Sequence, residues 1–121
     1  MVEYNVDTLT AIFHALAHPI RMEIVTLLAC VEQLTILEIA AHFEISLNGI
    51  SKHIKVLESA GILRREVSGR THYCSLHTEP LDQAEAWIAY YRRFWQNRLD
   101  ALEEFLEAKQ QAASKEEREP S

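Results

Sequence analysis

The stretch 46–60, SLNGISKHIKVLESA, followed by 61–76, GILRREVSGRTHYCSL, decides the fold. Ile50, Ile54 and Leu57 recur at helical spacing, Ser46 stands where an N-cap oxygen is needed, and Gly61 follows as the helix stop. From Ile62 the period changes to that of strands. Residues 62–67 and 71–76 are two strands, and the polar turn Ser68-Gly69-Arg70 between them makes a hairpin. Just upstream, Thr35 and Glu38 have the spacing of a capping box, which opens a short helix expected to run through Phe43. A short helix, a turn, a second helix and a hairpin together read as a winged helix-turn-helix from Ile36 to Leu76.

In such a motif the second helix enters the DNA major groove with its N-terminal residues at the base edges. Here those residues are Ser46, Leu47, Asn48, Gly49, Ser51, Lys52 and His53, a small and polar run that permits close approach. The amide of Asn48 can pair with adenine, whereas Ser51, Lys52 and Lys55 suit phosphates or base edges. Gly49 costs about 1 kcal/mol against alanine inside a helix, which close approach of the backbone to DNA would explain. His53 reads either as a DNA contact or as a structural group near the backbone. Arg65 and Arg70, with Ser68 and Gly69, place the wing tip at a flanking phosphate or a minor groove.

Outward from this motif, the pattern is helical almost throughout. Val6, Leu9, Ile12, Phe13 and Leu16 mark a first helix that ends before His18-Pro19. Pro19 suits the first turn of a second helix, running to about Cys30, and His18 reads as its cap. After the hairpin, Leu81, Ala84, Ile88, Tyr91, Trp95, Leu99, Leu102 and Leu106 step by three and four in a nearly heptad seam. A helix of about 28 residues is ~40 Å long, more than one small domain covers, so part of its apolar face needs a partner. Residues 1–109 thus read as one DNA-binding and dimerisation domain, mainly α with a small β-hairpin wing, and the polar 110–121 as a disordered tail.

The net charge of −6 is unfavourable for binding phosphates, but its distribution is not uniform. Lys52, Lys55, Arg64, Arg65 and Arg70 outnumber Glu58 and Glu66 across 46–76, while the flanking stretches are acidic. No apolar run reaches the roughly 18 residues of a membrane span, and the N-terminus lacks the layout of a signal peptide. Cys30 and Cys74 make no disulfide framework, which points to a reducing cytoplasm. No Gly-rich phosphate loop, paired acids or nucleophile elbow suggests an enzyme.

The run from Ala15 to Leu28 (ALAHPIRMEIVTLL) and that from Ile45 to Leu63 (ISLNGISKHIKVLESAGIL) resemble the ArsR-type winged-helix repressors. Gly69-Arg70 and the aromatic run Trp87, Tyr91-Arg92, Phe94-Trp95, Leu99-Asp100 look like a subgroup with a long aromatic last helix. The resemblance covers about residues 4–107. It implies a homodimer paired through the first and last helices that binds an inverted-repeat operator and represses transcription. Leu9, Phe13, Ile88, Tyr91, Trp95, Leu99 and Leu102 are the expected dimer-interface residues. The aromatic group could instead line a small-molecule pocket.

Members of this family often sense metals, and the familiar ligands are missing. Thr35-Ile-Leu-Glu-Ile-Ala40 lacks the Cys-x-Cys of one site, and 80–109 lacks the histidines of another. His72, Cys74 and His77, with a fourth ligand from Glu79 or from the other subunit, form an alternative Zn²⁺ set, although strand alternation leaves His77 past the strand end. The reading is therefore no resident cofactor, with affinity set by protein concentration or by an inducer not written in these motifs. Two alternatives stand beside it: a Zn- or thiol-responsive sensor using Cys74, His72 and Cys30, and a winged-helix module that binds protein rather than DNA.

Overall fold

Asn5 starts the first helix. Its side-chain oxygen accepts hydrogen bonds from the N–H groups of Asp7 (3.0 Å) and Thr8 (3.2 Å), and α1 follows as Val6–Leu16. The computed structural model describes residues 5–118; the first residues of the expected domain, 1–4, and the last of the expected tail, 119–121, lie outside the described residues. His18 caps α2 (Pro19–Ala29) by accepting from the Ile20 N–H at Nδ1, with Pro19 in the first turn as expected.

Thr35 and Glu38 form the expected capping box, but α3 is only Ile36–Ala40. The N–H groups of His42 and Phe43 reach back three residues, to Ile39 and Ala40, so the chain tightens instead of continuing the α-helix to Phe43. Ser46 caps α4 (Leu47–Ser59), and Gly61, at φ 77°, supplies the left-handed conformation that ends it. The wing is β2 (Leu63–Ser68) paired antiparallel with β3 (Thr71–Leu76), in register from Leu63 opposite Leu76 to Ser68 opposite Thr71. Only Gly69 and Arg70 remain in the turn, with Gly69 at φ 63°. The expected two-stranded wing gains a third strand, β1 (Leu34–Thr35), on the far edge of β3, giving the order β1-β3-β2.

One core ties these pieces together. Ile12 and Ala15 of α1, Ile24 and Leu28 of α2, Ile39 of α3, Ile50, Ile54 and Leu57 of α4, and Ile62, Leu63 and Cys74 around the wing form one buried cluster. Leu9, expected at a dimer face, is 6% exposed within the single chain, and Ile12 is fully buried. Leu9 and Ile12 are thus already covered within the chain, whereas Val6 is exposed and Phe13, the other expected interface residue of this helix, is half-buried.

The last helix, α5, runs Glu79–Arg118, past the end expected at Lys109. The intervening residues are mostly Gln, Ala, Lys and Glu, all good helix formers, with no Gly or Pro to stop them. The chain divides into two compact units between Glu85 and Ala86. No single helix among the described residues is long and apolar enough to cross a membrane.

Candidate nucleic-acid interface

The Ser46 hydroxyl oxygen accepts from the Gly49 N–H at 3.0 Å and so satisfies one free donor of the first turn of α4. A Cβ at Gly49 would stand 3.3 Å from that oxygen and 3.4 Å from Ile45 Cδ1. Crowding at the cap is thus a second reason for glycine here, beside the close approach to DNA expected from sequence. Ile50, Ile54 and Leu57 point into the core, which leaves Asn48, Lys52 and Lys55 exposed on the opposite side, with Leu47 and Ser51 on one flank.

That flank faces the wing. Strand alternation puts Arg65, His72 and Cys74 on one side of the sheet. A groove of about 580 Å³ lies here, lined by Leu47, Ser51 and Lys55 of α4, Thr35, Ile36 and Leu37 around the start of α3, and Arg65, Arg70, Thr71 and His72 of the wing. The groove carries three cations and no carboxylate among its lining residues. Five expected DNA-binding residues, Leu47, Ser51, Lys55, Arg65 and Arg70, therefore meet in one place, with Asn48 and Lys52 on the adjoining exposed face.

Arg65 and His53, for which the sequence suggested the wing tip and either of two roles, are placed as follows. Arg65 is not at the wing tip but half-buried beneath it, its Nη2 donating to Glu58 Oε1 at 3.3 Å while its buried Nε has no partner. His53 is turned to the other flank of α4, where its Nδ1 lies 3.2 Å from Arg21 Nη1 and its ring 4.4 Å from that of His18. Burial, then the charges of His18 and Arg21, hold His53 below its ordinary pKa of 6.5. Sequence reasoning missed Arg21, a buried charge on an otherwise ordinary amphipathic helix; its Nε donates to the Ala15 carbonyl at 2.6 Å and its Nη2 to that of His14 at 3.1 Å.

The alternative metal set does not assemble. Among the described residues no three His, Cys, Asp or Glu side chains are placed to hold a metal ion. Cys74 is fully buried, and burial pushes its thiol pKa up, away from the thiolate that metal binding or redox chemistry needs. His77 is engaged at Nε2 with Arg64 (3.3 Å) and Glu79 (3.5 Å). Cys30 is exposed and Cys74 buried, and both are free thiols.

Comparison with known proteins meets this geometry. A family model described as a helix-turn-helix domain matches residues 16–66. The transcriptional repressor SdpR of Bacillus subtilis is 34% identical over 77 residues, which cover 64% of this chain and 84% of that protein. A crystal structure of an ArsR family transcriptional regulator, also 34% identical, covers 79% of this chain and 97% of its own with a TM-score of 0.74. The chain belongs to the ArsR family. An ArsR-like regulator from Rhodococcus sp. RHA1, 23% identical, shares the fold with a TM-score of 0.71 over 82% of this chain and 92% of its own. Regulators of this family act by binding DNA rather than by catalysis, and this chain is a DNA-binding transcriptional regulator with the winged helix-turn-helix of the ArsR family.

Proposed function

We propose that the chain is a cytoplasmic homodimeric repressor that reads an inverted-repeat operator with α4 and the wing. The observation that carries the DNA-reading surface is the cationic groove between α4 and the wing, continuous with the exposed face of Asn48 and Lys52. In this reading Ser46, Leu47 and Asn48, at the start of α4, face base edges, with Asn48 pairing to adenine. Ser51, Lys52, Lys55 and Arg70 hold phosphates. Gly49 serves the cap, His53 acts from behind the helix, and Arg65 supports the wing through Glu58.

Dimerisation is supported by the face of α5. Ile88, Tyr91, Trp95, Leu99 and Leu102 are between 42% and 60% exposed, a contiguous apolar stripe of the kind that marks an interface. A two-fold pair would present two copies of α4 to successive major grooves. No resident cofactor is part of this reading.

The test is the salt dependence of operator binding. A Lys52→Ala/Arg70→Ala variant removes two proposed phosphate contacts, so the slope of log K against log salt becomes shallower by about 2, with weaker binding. An unchanged slope and affinity would remove α4 and the wing from the interface.

A further inference from the structure

The flank of α4 that faces away from the wing holds a group the DNA-reading surface does not use. Arg21 is 8% exposed, and among the described residues no carboxylate pairs with it. Its three nitrogens reach three different places: the carbonyls of Ala15 and His14 at the end of α1, and Nδ1 of His53 on α4. A guanidinium has only donors, so His53 Nδ1 must accept and its ring is neutral. His18 Nδ1 likewise accepts, from the Ile20 N–H, and its ring packs against that of His53. Buried charge, helix end and reading helix are thereby joined through one imidazole lone pair.

We propose that Arg21 and His53 are positioning residues for operator binding, a latch that fixes the angle of α4 on the α1–α2 corner and opens when His53 takes up a proton. The proposal rests on α4 being the reading helix. An imidazolium has no lone pair at Nδ1, so protonation converts the Arg21–His53 hydrogen bond into contact between two cations. The charged and titratable groups facing His53 are His18, from the turn between α1 and α2, and Arg21 of α2. From α1, His14 presents its carbonyl to the guanidinium while its own side chain is exposed. Glu38 of α3 is bound to Thr35, and Arg65 of β2 to Glu58, on the wing side. Nothing among these offsets a proton on His53. If two protomers pair through α1, the angle of α4 against α1 also sets the spacing of the two reading helices, which must match one turn of DNA, about 34 Å.

The sign of the pH effect separates this latch from ordinary electrostatics. A proton gained at a DNA-binding surface adds positive charge and tightens binding. A proton gained by the latch loosens it. Affinity for an operator duplex selected from random-sequence DNA is measured by fluorescence anisotropy from pH 7.5 to 5.5 at fixed salt. Wild-type binding is expected to weaken about tenfold on acidification, the effect of one pK unit of coupling. His53→Asn keeps an acceptor near the Nδ1 position but does not titrate there, so its profile loses this fall whatever its affinity at pH 7.5. Histidines out of contact with His53 contribute alike to both proteins and cancel in the difference, and a His18→Asn variant, which keeps an acceptor for the Ile20 N–H, is expected to retain the fall. Arg21→Lys keeps the charge and loses the fork, and is expected to weaken binding at every pH with an unchanged salt slope, since no phosphate contact is removed. A wild-type profile that is flat or tightens on acidification, a His53→Asn profile that reproduces the wild-type fall, or a shallower salt slope for Arg21→Lys overturns the proposal. Failure of the α4 reading itself shows separately, as a Lys52→Ala/Arg70→Ala salt slope equal to that of the wild type.

Discussion

The part of the chain before Ala86 and the part of α5 beyond it both carry apolar residues at helical spacing, aliphatic in the first and largely aromatic in the second, and put them to opposite ends. Up to Glu85, Ile12, Ile24, Ile39, Ile50, Ile54, Leu57 and Ile62 are wholly buried, each shared among helices of five to thirteen residues and a small sheet. Along α5, Tyr91, Phe94, Trp95, Leu102 and Phe105 are more than half exposed. One region satisfies its hydrophobic pattern within the chain, and the other carries an equally regular pattern that a single chain leaves in water. Periodicity alone does not distinguish the two, because it reports that a face is apolar and not what covers it.

The largest expected effect breaks the first region. Ile54 is fully buried at the centre of α4, where Ile54→Ala leaves a cavity costing about 2–5 kcal/mol. Urea denaturation should show this loss at the same size at every protein concentration. A cost below about 1 kcal/mol would mean that the core before Ala86 collapses around the gap and is less tightly packed than its burial implies.

The contrast also explains what was legible in the sequence. The helix-turn-helix and hairpin were, because caps, turns and period changes are local: Thr35 with Glu38, Ser46, Gly61 and Gly69 each act within a few residues. Strand β1 was not, since two residues are too short to show any period. The pairing of Arg21 with His53 was not, because the partners lie 32 positions apart and neither spacing nor charge links them. The burial of Leu9 within the single chain was not legible either, since periodicity shows the stripe on α1 and not what covers it. Within the site, the exposed Asn48 and Lys52 were legible from helical spacing, whereas the inward turn of Arg65 depended on the sheet face it occupies.

A smaller effect on folding, but a decisive one for the comparison, comes from α5. Leu99 is 44% exposed, so Leu99→Glu changes single-chain stability by no more than about 0.5 kcal/mol. If the stripe is covered by a second copy, the same change buries an unpaired carboxylate in the assembly. Sedimentation should then shift from dimer to monomer, and the melting temperature should lose its dependence on protein concentration. A variant that remains dimeric would show that the seam of α5 is not the interface and would leave its exposure without a partner.

The finest distinction concerns the caps on which the short helices depend. Ser46→Ala removes the bond to the Gly49 N–H and should cost about 1 kcal/mol. Gly49→Ala should by propensity gain nearly as much, about 1 kcal/mol, but its Cβ meets the Ser46 oxygen at 3.3 Å and Ile45 at 3.4 Å. The single Gly49→Ala change is therefore expected to be close to neutral. In the Ser46→Ala background the crowding oxygen is gone, and alanine at 49 regains part of its helical advantage. Thermal denaturation of the four proteins of this cycle should give a coupling of about 0.5 kcal/mol or more, the size typical of residues in direct contact. Strict additivity would mean that Gly49 is not there for the cap, and would return it to the explanation first drawn from sequence, close approach of the α4 backbone to DNA. Operator affinity of Gly49→Ala then decides the matter, since a Cβ facing DNA weakens binding and a Cβ facing Ser46 does not.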